Sequence, residues 1–185
     1  MRVPVYERQE RLTSPPAGAA PSPVQGTGYI MKDVLGGKPF PVTSGYDPKR
    51  KLSPHHAIDI GAPAGTPVHA LPLGGDWRVE TVGTNPSSKA GLHMTLSTTV
   101  NGHEIEMTVM HLQHGSMRYK AGDTVRSGAA IAAVGNTGRT KGHGEKEAHI
   151  WKPGRTAGAH LHLAVRVGGK AVNPQRLYEL IGVRK

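Results

Sequence analysis

A chain of 185 residues with 25 Gly, 15 Pro and only 4% aromatic residues favours one all-β domain of short strands and tight turns over a bundle of long helices. The absence of cysteine excludes disulfides and cysteine-ligated zinc, so any metal ligands must come from His, Asp and Glu. The formal net charge of +10 predicts attraction to polyanions, including the acidic polymers of a bacterial wall, but the lack of interleaved aromatic residues argues against dedicated nucleic-acid binding.

Residues 1–28 are predicted to form an extended N-terminal docking segment ahead of the folded domain, which spans 29–185. The stretch 13–23 is rich in Pro, Ala and Ser and has too little apolar surface to form a core, so we expect it to act as a tether. The first nine residues would add a strand to a partner protein, or else form a disordered start. They lack the apolar segment of a signal peptide, and no apolar run of about 18 residues follows, so we expect neither general export nor a membrane span.

Turn signals divide the rest of the chain into short strands. The dipeptide Asn101-Gly102, between two alternating runs, predicts a β-hairpin. Residues 141–156 are polar and aperiodic, which indicates a long loop. Strands are expected within 40–48, 62–70 and 121–128 and at 58–60, 76–82, 93–100, 104–112, 129–135 and 157–167, with a short helix at 174–181.

The segment that follows Pro54 places His55 and Asp59 four positions apart in an apolar, β-prone run, and this pairing suits a divalent metal. On a straight strand the two residues would share a face about 13 Å apart, too far for ligands about 2 Å from one ion. If they share a metal, the segment must bend, with a loop that turns into the strand at 58–60. A surface His and a turn-capping Asp are the alternative that this pattern leaves open.

Three further histidines are placed where side chains can meet. His111 lies near the end of the strand predicted at 104–112, where a side chain can reach a cleft. His160 and His162 share one face of the strand predicted at 157–167, about 6.6 Å apart. Two imidazoles can therefore enter the same cleft, one to bind a metal and one to face a substrate, although a lone His in a strand is more often structural.

Together these residues resemble peptidase family M23, the zinc-dependent peptidoglycan endopeptidases of the lysostaphin and LytM type. Each piece of the resemblance is weak alone, but their order along the chain is specific. The pieces are Thr43-Ser44-Gly45-Tyr46, His55-x-x-x-Asp59, Gly65-Thr66-Pro67-Val68, His111-Leu112, Gly122-Asp123-x-Val125, Gly135-Asn136-Thr137-Gly138 and His160-Leu161-His162.

The resemblance implies an all-β fold in which antiparallel sheets form a groove. It also implies a zinc endopeptidase that hydrolyses peptide bonds in bacterial peptidoglycan. By this resemblance His55, Asp59 and His162 bind the zinc, and His111 and His160 are the catalytic histidines. Two imidazoles and one carboxylate would leave the fourth position of a tetrahedral zinc open for water.

The loop 141–156 takes up 16 residues where the family usually has only a few. We expect it to line the substrate groove, with Trp151 as a contact residue and Tyr46 as a second one. The alternatives are a solvated surface excursion or a second, weak metal site formed by His143 and His149.

The first nine residues are similar to the start of some bacteriophage virion proteins. Together with the missing export signal, this predicts a peptidase carried in a phage particle, in its tail or interior, and docked to other virion proteins through residues 1–28. Residence in the host cytoplasm until lysis is the alternative.

Two other function classes stay open. One is a virion or envelope component that binds the wall without cutting it, but the chain retains all five site residues, which argues against this class. The other is a nucleic-acid-binding protein, a hypothesis that rests on charge alone.

Overall fold

A computed structural model describes residues 30–51 and 53–183. The predicted docking segment 1–28 lies outside the described residues. Within the described residues, helix is confined to α1 at Ile30–Val34 and to a C-terminal unit in which a 3-10 turn at Pro174–Arg176 leads into α2 at Leu177–Leu180. In the described part of the chain, no helix has the length and apolarity needed to cross a membrane.

The described residues form twelve short strands. Most are two to four residues long, as the frequent Gly and Pro of the sequence predict. The strands are β1 Val42–Ser44, β2 Ile58–Ile60, β3 Pro67–His69, β4 Trp77–Gly83, β5 His93–Val100, β6 His103–Met110, β7 Thr124–Val125, β8 Ala130–Ala133, β9 Arg139–Thr140, β10 His149–Ile150, β11 Leu161–Val167 and β12 Lys170–Val172.

One eight-stranded antiparallel sheet organises the domain. Its strands follow the order β1-β2-β11-β6-β5-β4-β7, and β12 pairs with β11. Two small sheets, β3 with β8 and β9 with β10, lie beside it. The expected all-β architecture of antiparallel sheets with a short C-terminal helix is confirmed.

The core lies against one face of the large sheet. Strand β2 buries Ile58 and Ile60, and β11 buries Leu161 and Leu163, in the alternation expected of a strand with one covered face. The residues between them therefore point to the other face. Among these, Asp59 lies directly opposite His162 in the β2–β11 register, so the pleat places both side chains together on the face away from the core.

Two predicted strands are shorter than expected at the ends that carry histidines. Strand β6 ends at Met110 because His111 has a φ of 62°, which breaks the extended backbone. Strand β11 begins at Leu161 rather than at 157, and His160 makes only an isolated bridge to Gly135. Both histidines therefore lie just beyond a strand end.

Helix α1 has no counterpart among the sequence predictions. Its buried residues Ile30 and Val34 belong to the core, and Asp33 accepts a 2.5 Å hydrogen bond from the hydroxyl of Tyr178 in α2. Five residues are too few to show a helical repeat. The contact with α2, which is distant in sequence, is what fixes this segment.

Candidate metal centre and its cleft

Three potential ligands meet on the outer face of the large sheet. The Nδ1 of His162 lies 2.7 Å from Oδ1 of Asp59, and the Nε2 of His55 lies 3.4 Å from the same oxygen. The ligand atoms of all three residues lie within 4.8 Å of one another. The chain between His55 and Asp59 bends as the metal hypothesis requires, because His55 forms a bridge to Asp47 before the strand β2 begins.

The backbone orients the ring of His55. Its Nδ1 donates a 2.8 Å hydrogen bond to the carbonyl of Gly45, since a carbonyl oxygen can only accept. This bond leaves Nε2 unprotonated in the neutral ring, and Nε2 is the nitrogen that faces Asp59. A backbone partner on the far nitrogen is the usual support of a metal-binding histidine.

The three residues fit a zinc ion. Two ligands about 2.1 Å from a tetrahedral ion are separated by about 3.4 Å, and the His55–Asp59 pair already has this separation. Two imidazoles and one carboxylate are also a donor set that zinc accepts. The shorter distance between His162 and Asp59 is that of a hydrogen bond, so a metal would displace the proton that the two side chains share.

A second pair of histidines lies beside the ligand group. The ring centroids of His111 and His160 are 4.6 Å apart, and the centroid of His111 is 6.0 Å from that of His162. The Nδ1 of His111 donates to the carbonyl of Thr137 at 2.8 Å, and the Nδ1 of His160 donates to that of Gly158 at 2.9 Å. Both rings are thus fixed through Nδ1, and Nε2 is the nitrogen that can act on a substrate.

Burial and the neighbouring rings shift two pKa values at this site. Burial raises the pKa of Asp59, but the hydrogen bond from His162 and the charges of the surrounding imidazoles together hold this pKa below its usual value. Burial, followed by the charge of His160, lowers the pKa of His111 to about 4. The carboxylate and the neutral His111 ring are therefore the forms present at neutral pH.

All five residues open into one cleft with a volume of about 1340 Å³. Thr43, Ser44 and Pro54 line it beside His55, towards the β1 edge of the sheet. Residues 139–143 and 157–160 line it beside His111 and His160. The loop that follows β9 therefore contributes to the cleft, as the sequence predicts for the start of 141–156.

The sequence pattern of peptidase family M23 matches residues 53–174, which is well over half of the chain. The chain belongs to peptidase family M23. The ligand group and the histidine pair described above lie within the matched residues.

Proteins similar to this M23 chain include a cell-wall enzyme and two enzymes of known structure. The peptidoglycan DD-endopeptidase ShyB of Vibrio cholerae is 28% identical over 73% of this chain and 27% of its own length. A zinc-containing peptidase from Vibrio cholerae is 28% identical with a TM-score of 0.54, over 74% of this chain and 36% of its own. The catalytic domain of the prophage-encoded M23 protein EnpA from Enterococcus faecalis is 29% identical with a TM-score of 0.52, over 75% of this chain and 91% of its own. The chain spans about a quarter of the length of ShyB.

Neither predicted groove residue of this M23 domain is among those that line the cleft. The Tyr46 hydroxyl donates to the carbonyl of Ala171 at 3.2 Å, and its ring meets His56 edge-on. Trp151 stacks on His114, with ring centroids 5.8 Å apart and planes 2° apart. A substrate contact by either residue stays a prediction, and the structure gives both a packing role.

The loop 141–156 contains an ion pair of its own. The guanidinium of Arg155 makes a two-fold contact with the carboxylate of Glu145, at 2.7 Å on each side. The side-chain hydrogen bond from Arg155, and then the one from the backbone of Gly142, lower the pKa of Glu145 to about 2. In the described residues, the group of three potential ligands at the cleft includes neither His143 nor His149.

The carbonyl groups that orient the histidines were not predicted from the sequence. Those of Gly45 and Thr137 lie within segments that carry the family resemblance, so the resemblance marked them without giving their role. The Thr137 hydroxyl gives one reason for the Gly135-Asn136-Thr137-Gly138 motif. It donates to the carbonyl of Leu112 at 2.7 Å and accepts from the amide of Leu92 at 3.0 Å. The segment around Thr137 is thereby tied to Leu112, the residue that follows His111, and to Leu92.

Gly91 gives a test of this support, because a methyl group there would press on Thr137. An ideal Cβ at Gly91, whose φ is 65°, would lie 2.4 Å from the Thr137 carbonyl carbon. We expect Gly91→Ala to lower the free energy of unfolding by about 3 kcal/mol, from overpacking added to the cost of a left-handed alanine. Chemical denaturation measures this loss.

The matched control is Gly102→Ala, because Gly102 has a φ of 77° with nothing within 4 Å of the added Cβ. This variant should lose only about 1 kcal/mol, the cost of the backbone conformation. Equal losses in the two variants would show that the contact with Thr137 is not tight.

Proposed function

We propose that this chain is a zinc endopeptidase that hydrolyses peptide bonds in bacterial peptidoglycan. One observation carries the proposal: the ligand group of His55, Asp59 and His162 and the pair His111 and His160 open into a single cleft. Membership of a peptidase family supports the reaction class, and the similarity to a peptidoglycan DD-endopeptidase supports the substrate. The similarity to a zinc-containing peptidase supports the choice of metal.

The ligand group would hold the zinc through Nε2 of His55, a carboxylate oxygen of Asp59 and Nδ1 of His162. A zinc ion in this place supplies a Lewis acid that polarises the scissile carbonyl and makes water a better nucleophile near neutral pH. The protein's part is to keep the three donors together before the metal binds. The β2–β11 register and the bond from His55 to Gly45 do this.

The catalytic histidines act through the nitrogens that the backbone leaves free. Because each Nδ1–H is bonded to a carbonyl, each Nε2 can accept a proton or, once protonated, donate one. One ring can take the proton of the attacking water and pass it to the leaving amine, and a neighbouring ring can donate to the developing oxyanion. The close approach of the two rings lets both reach one scissile bond.

Digestion of purified peptidoglycan tests the function. We expect soluble fragments with new amino groups, identified by mass spectrometry, and no new reducing sugar ends. A chelator should stop their release and added zinc should restore it. If the polymer stays intact with zinc present, or if only glycan bonds are cut, the proposed function is wrong.

We further propose that the enzyme works from a phage particle, docked through residues 1–28. The similarity of its first residues to virion proteins and the likeness to prophage-encoded EnpA support this location. Deleting residues 1–28 should leave the activity of the purified enzyme on isolated peptidoglycan unchanged and abolish its incorporation into particles. Loss of folding on deletion would instead place the segment in the core, and absence of the wild-type chain from purified particles would contradict the location.

A further inference from the structure

The basic residues that line the cleft lie on one side of it. Three basic residues line it near the histidine pair: Lys89, Arg139 and Lys141. The one acidic residue among the lining residues is Asp59, which belongs to the ligand group. The opposite side, towards the β1 edge, is lined by uncharged residues such as Thr43 and Ser44.

Two of the cations are tied through the backbone to His111. The amide of Arg139 donates to the carbonyl of Lys89 at 3.1 Å, and the amide of His111 donates to the carbonyl of the next residue, Ala90, also at 3.1 Å. Thr137, whose carbonyl orients His111, lies two residues before Arg139. The backbone of these two basic residues is therefore fixed near that of His111.

The third cation is placed beside His160. Gly158, whose carbonyl orients His160, packs so closely on the segment of Lys141 that an ideal Cβ would lie 2.7 Å from the Thr140 hydroxyl and 3.2 Å from the Lys141 carbonyl carbon. The cations and the catalytic pair thus form one side of the cleft.

Among the described residues, these cations have no acidic partner. No ion pair in the described part of the chain includes Lys89, Arg139 or Lys141, and all three side chains are exposed. Arg155, in the same loop, is instead neutralised by Glu145 at 2.7 Å. Glu145 thus pairs with Arg155, and the three cations that line the cleft stay available to a ligand. The concave shape of the site strengthens their electric field.

We propose that Lys89, Arg139 and Lys141 bind a free carboxylate of the substrate peptide and so make the enzyme selective for stem peptides whose carboxylates are not amidated. This inference rests on the proposed function. The stem peptides of peptidoglycan carry free carboxylates, which some bacteria convert to amides, and an amide loses both the charge and the charge-assisted hydrogen bonds. Because the basic residues that line the cleft lie on one side of it, the carboxylate also sets the direction in which the peptide crosses the ligand group.

Two matched substrates test the inference. One is a cross-linked dimer of stem peptides with free carboxylates, and the other is the same dimer with those groups as amides. We expect the zinc-loaded full chain to cleave the free acid with a kcat/KM at least about tenfold higher, since one charge-assisted contact is worth about that factor. The preference should shrink as NaCl rises from about 50 mM to about 500 mM, because these cations are exposed to solvent.

The triple variant Lys89→Gln, Arg139→Gln, Lys141→Gln should lose the preference by losing activity on the free acid alone. The control is Lys146→Gln, Lys152→Gln, Lys170→Gln, which removes the same charge from exposed residues outside the cleft lining and should keep the preference. A wild-type enzyme that cleaves both dimers equally, or a triple variant that keeps the preference, would overturn the inference.

Binding separates this inference from the proposed function. Calorimetry on the zinc-loaded full chain with the uncut stem tetrapeptide should show at least about tenfold tighter binding of the free acid than of the amide, lost in the triple variant. Tight, selective binding without any cleavage would reject the function and leave the carboxylate site standing. Equal binding of acid and amide would reject the site. The site would also be rejected if single-stranded DNA displaced the bound tetrapeptide at a lower concentration than added free-acid tetrapeptide does.

Discussion

His162→Ala is expected to abolish zinc binding and, with it, hydrolysis. The substitution removes one of three donors and leaves Asp59 without the partner that holds it at 2.7 Å. Removing a mere supporting partner of a metal ligand typically costs 10- to 100-fold in affinity, so the loss of a ligand itself should exceed about 100-fold. Metal analysis after dialysis measures this directly. Zinc should raise the unfolding temperature of the wild type but not that of the variant, because only a bound ion stabilises the folded state.

His56→Ala is the control for this prediction. His56 neighbours His55 in sequence, but it is exposed and packs against Tyr46 rather than against the ligand group. We expect this variant to keep its zinc and its thermal response. The ligand assignment would be wrong if His56→Ala lost the metal while His162→Ala retained it.

His111→Ala and His160→Ala are expected to keep the zinc and lose at least about 100-fold in kcat, the lower bound for a positioned group that moves protons or stabilises an oxyanion. Both rings are bonded to backbone carbonyls and not to Asp59, so their removal leaves the ligand set intact. Turnover and metal content should be measured on the same preparations. Zinc loss in either variant would reassign that residue as a ligand.

Two further variants separate chemistry from folding. His103→Ala changes an exposed histidine at the opposite end of β6 and should leave kcat unchanged. His111→Asn suits the left-handed backbone at this position, with its φ of 62°, better than alanine does. It should therefore recover any stability lost in His111→Ala without recovering turnover, whereas recovery of turnover would show that His111 has only a structural role.

The parts of the fold that the sequence predicted are those fixed by neighbouring residues. Asn101 and Gly102 have φ values of 51° and 77°, which are the left-handed conformations of a two-residue hairpin turn, and they connect β5 and β6 as expected. Strand β5 has the predicted ends at His93 and Val100 because its alternation is uninterrupted. The bend between His55 and Asp59 followed from strand spacing combined with the hypothesis that both residues bind one metal.

The features that escaped prediction depend on residues distant in sequence. Nothing near Trp151 shows that its ring stacks on His114, outside the residues that line the cleft, and nothing near Lys89 shows that it lies beside Arg139. The late start of β11 has a similar cause, because His160 is held by Gly135 rather than by the strand. Hydrophobic periodicity carries no information about such contacts.

The place of β11 between β2 and β6 determines when the metal site can form during synthesis on the ribosome. Asp59 and His162 are 103 residues apart, and β11 is the strand through which β2 joins the rest of the large sheet. Pairings of such long sequence separation form late and slowly. During synthesis the chain therefore carries only His55 and Asp59 of the ligand group until β11 emerges. A nascent or truncated chain that ends before β11 cannot hold the metal with all three residues, so hydrolytic activity requires a chain that extends past His162.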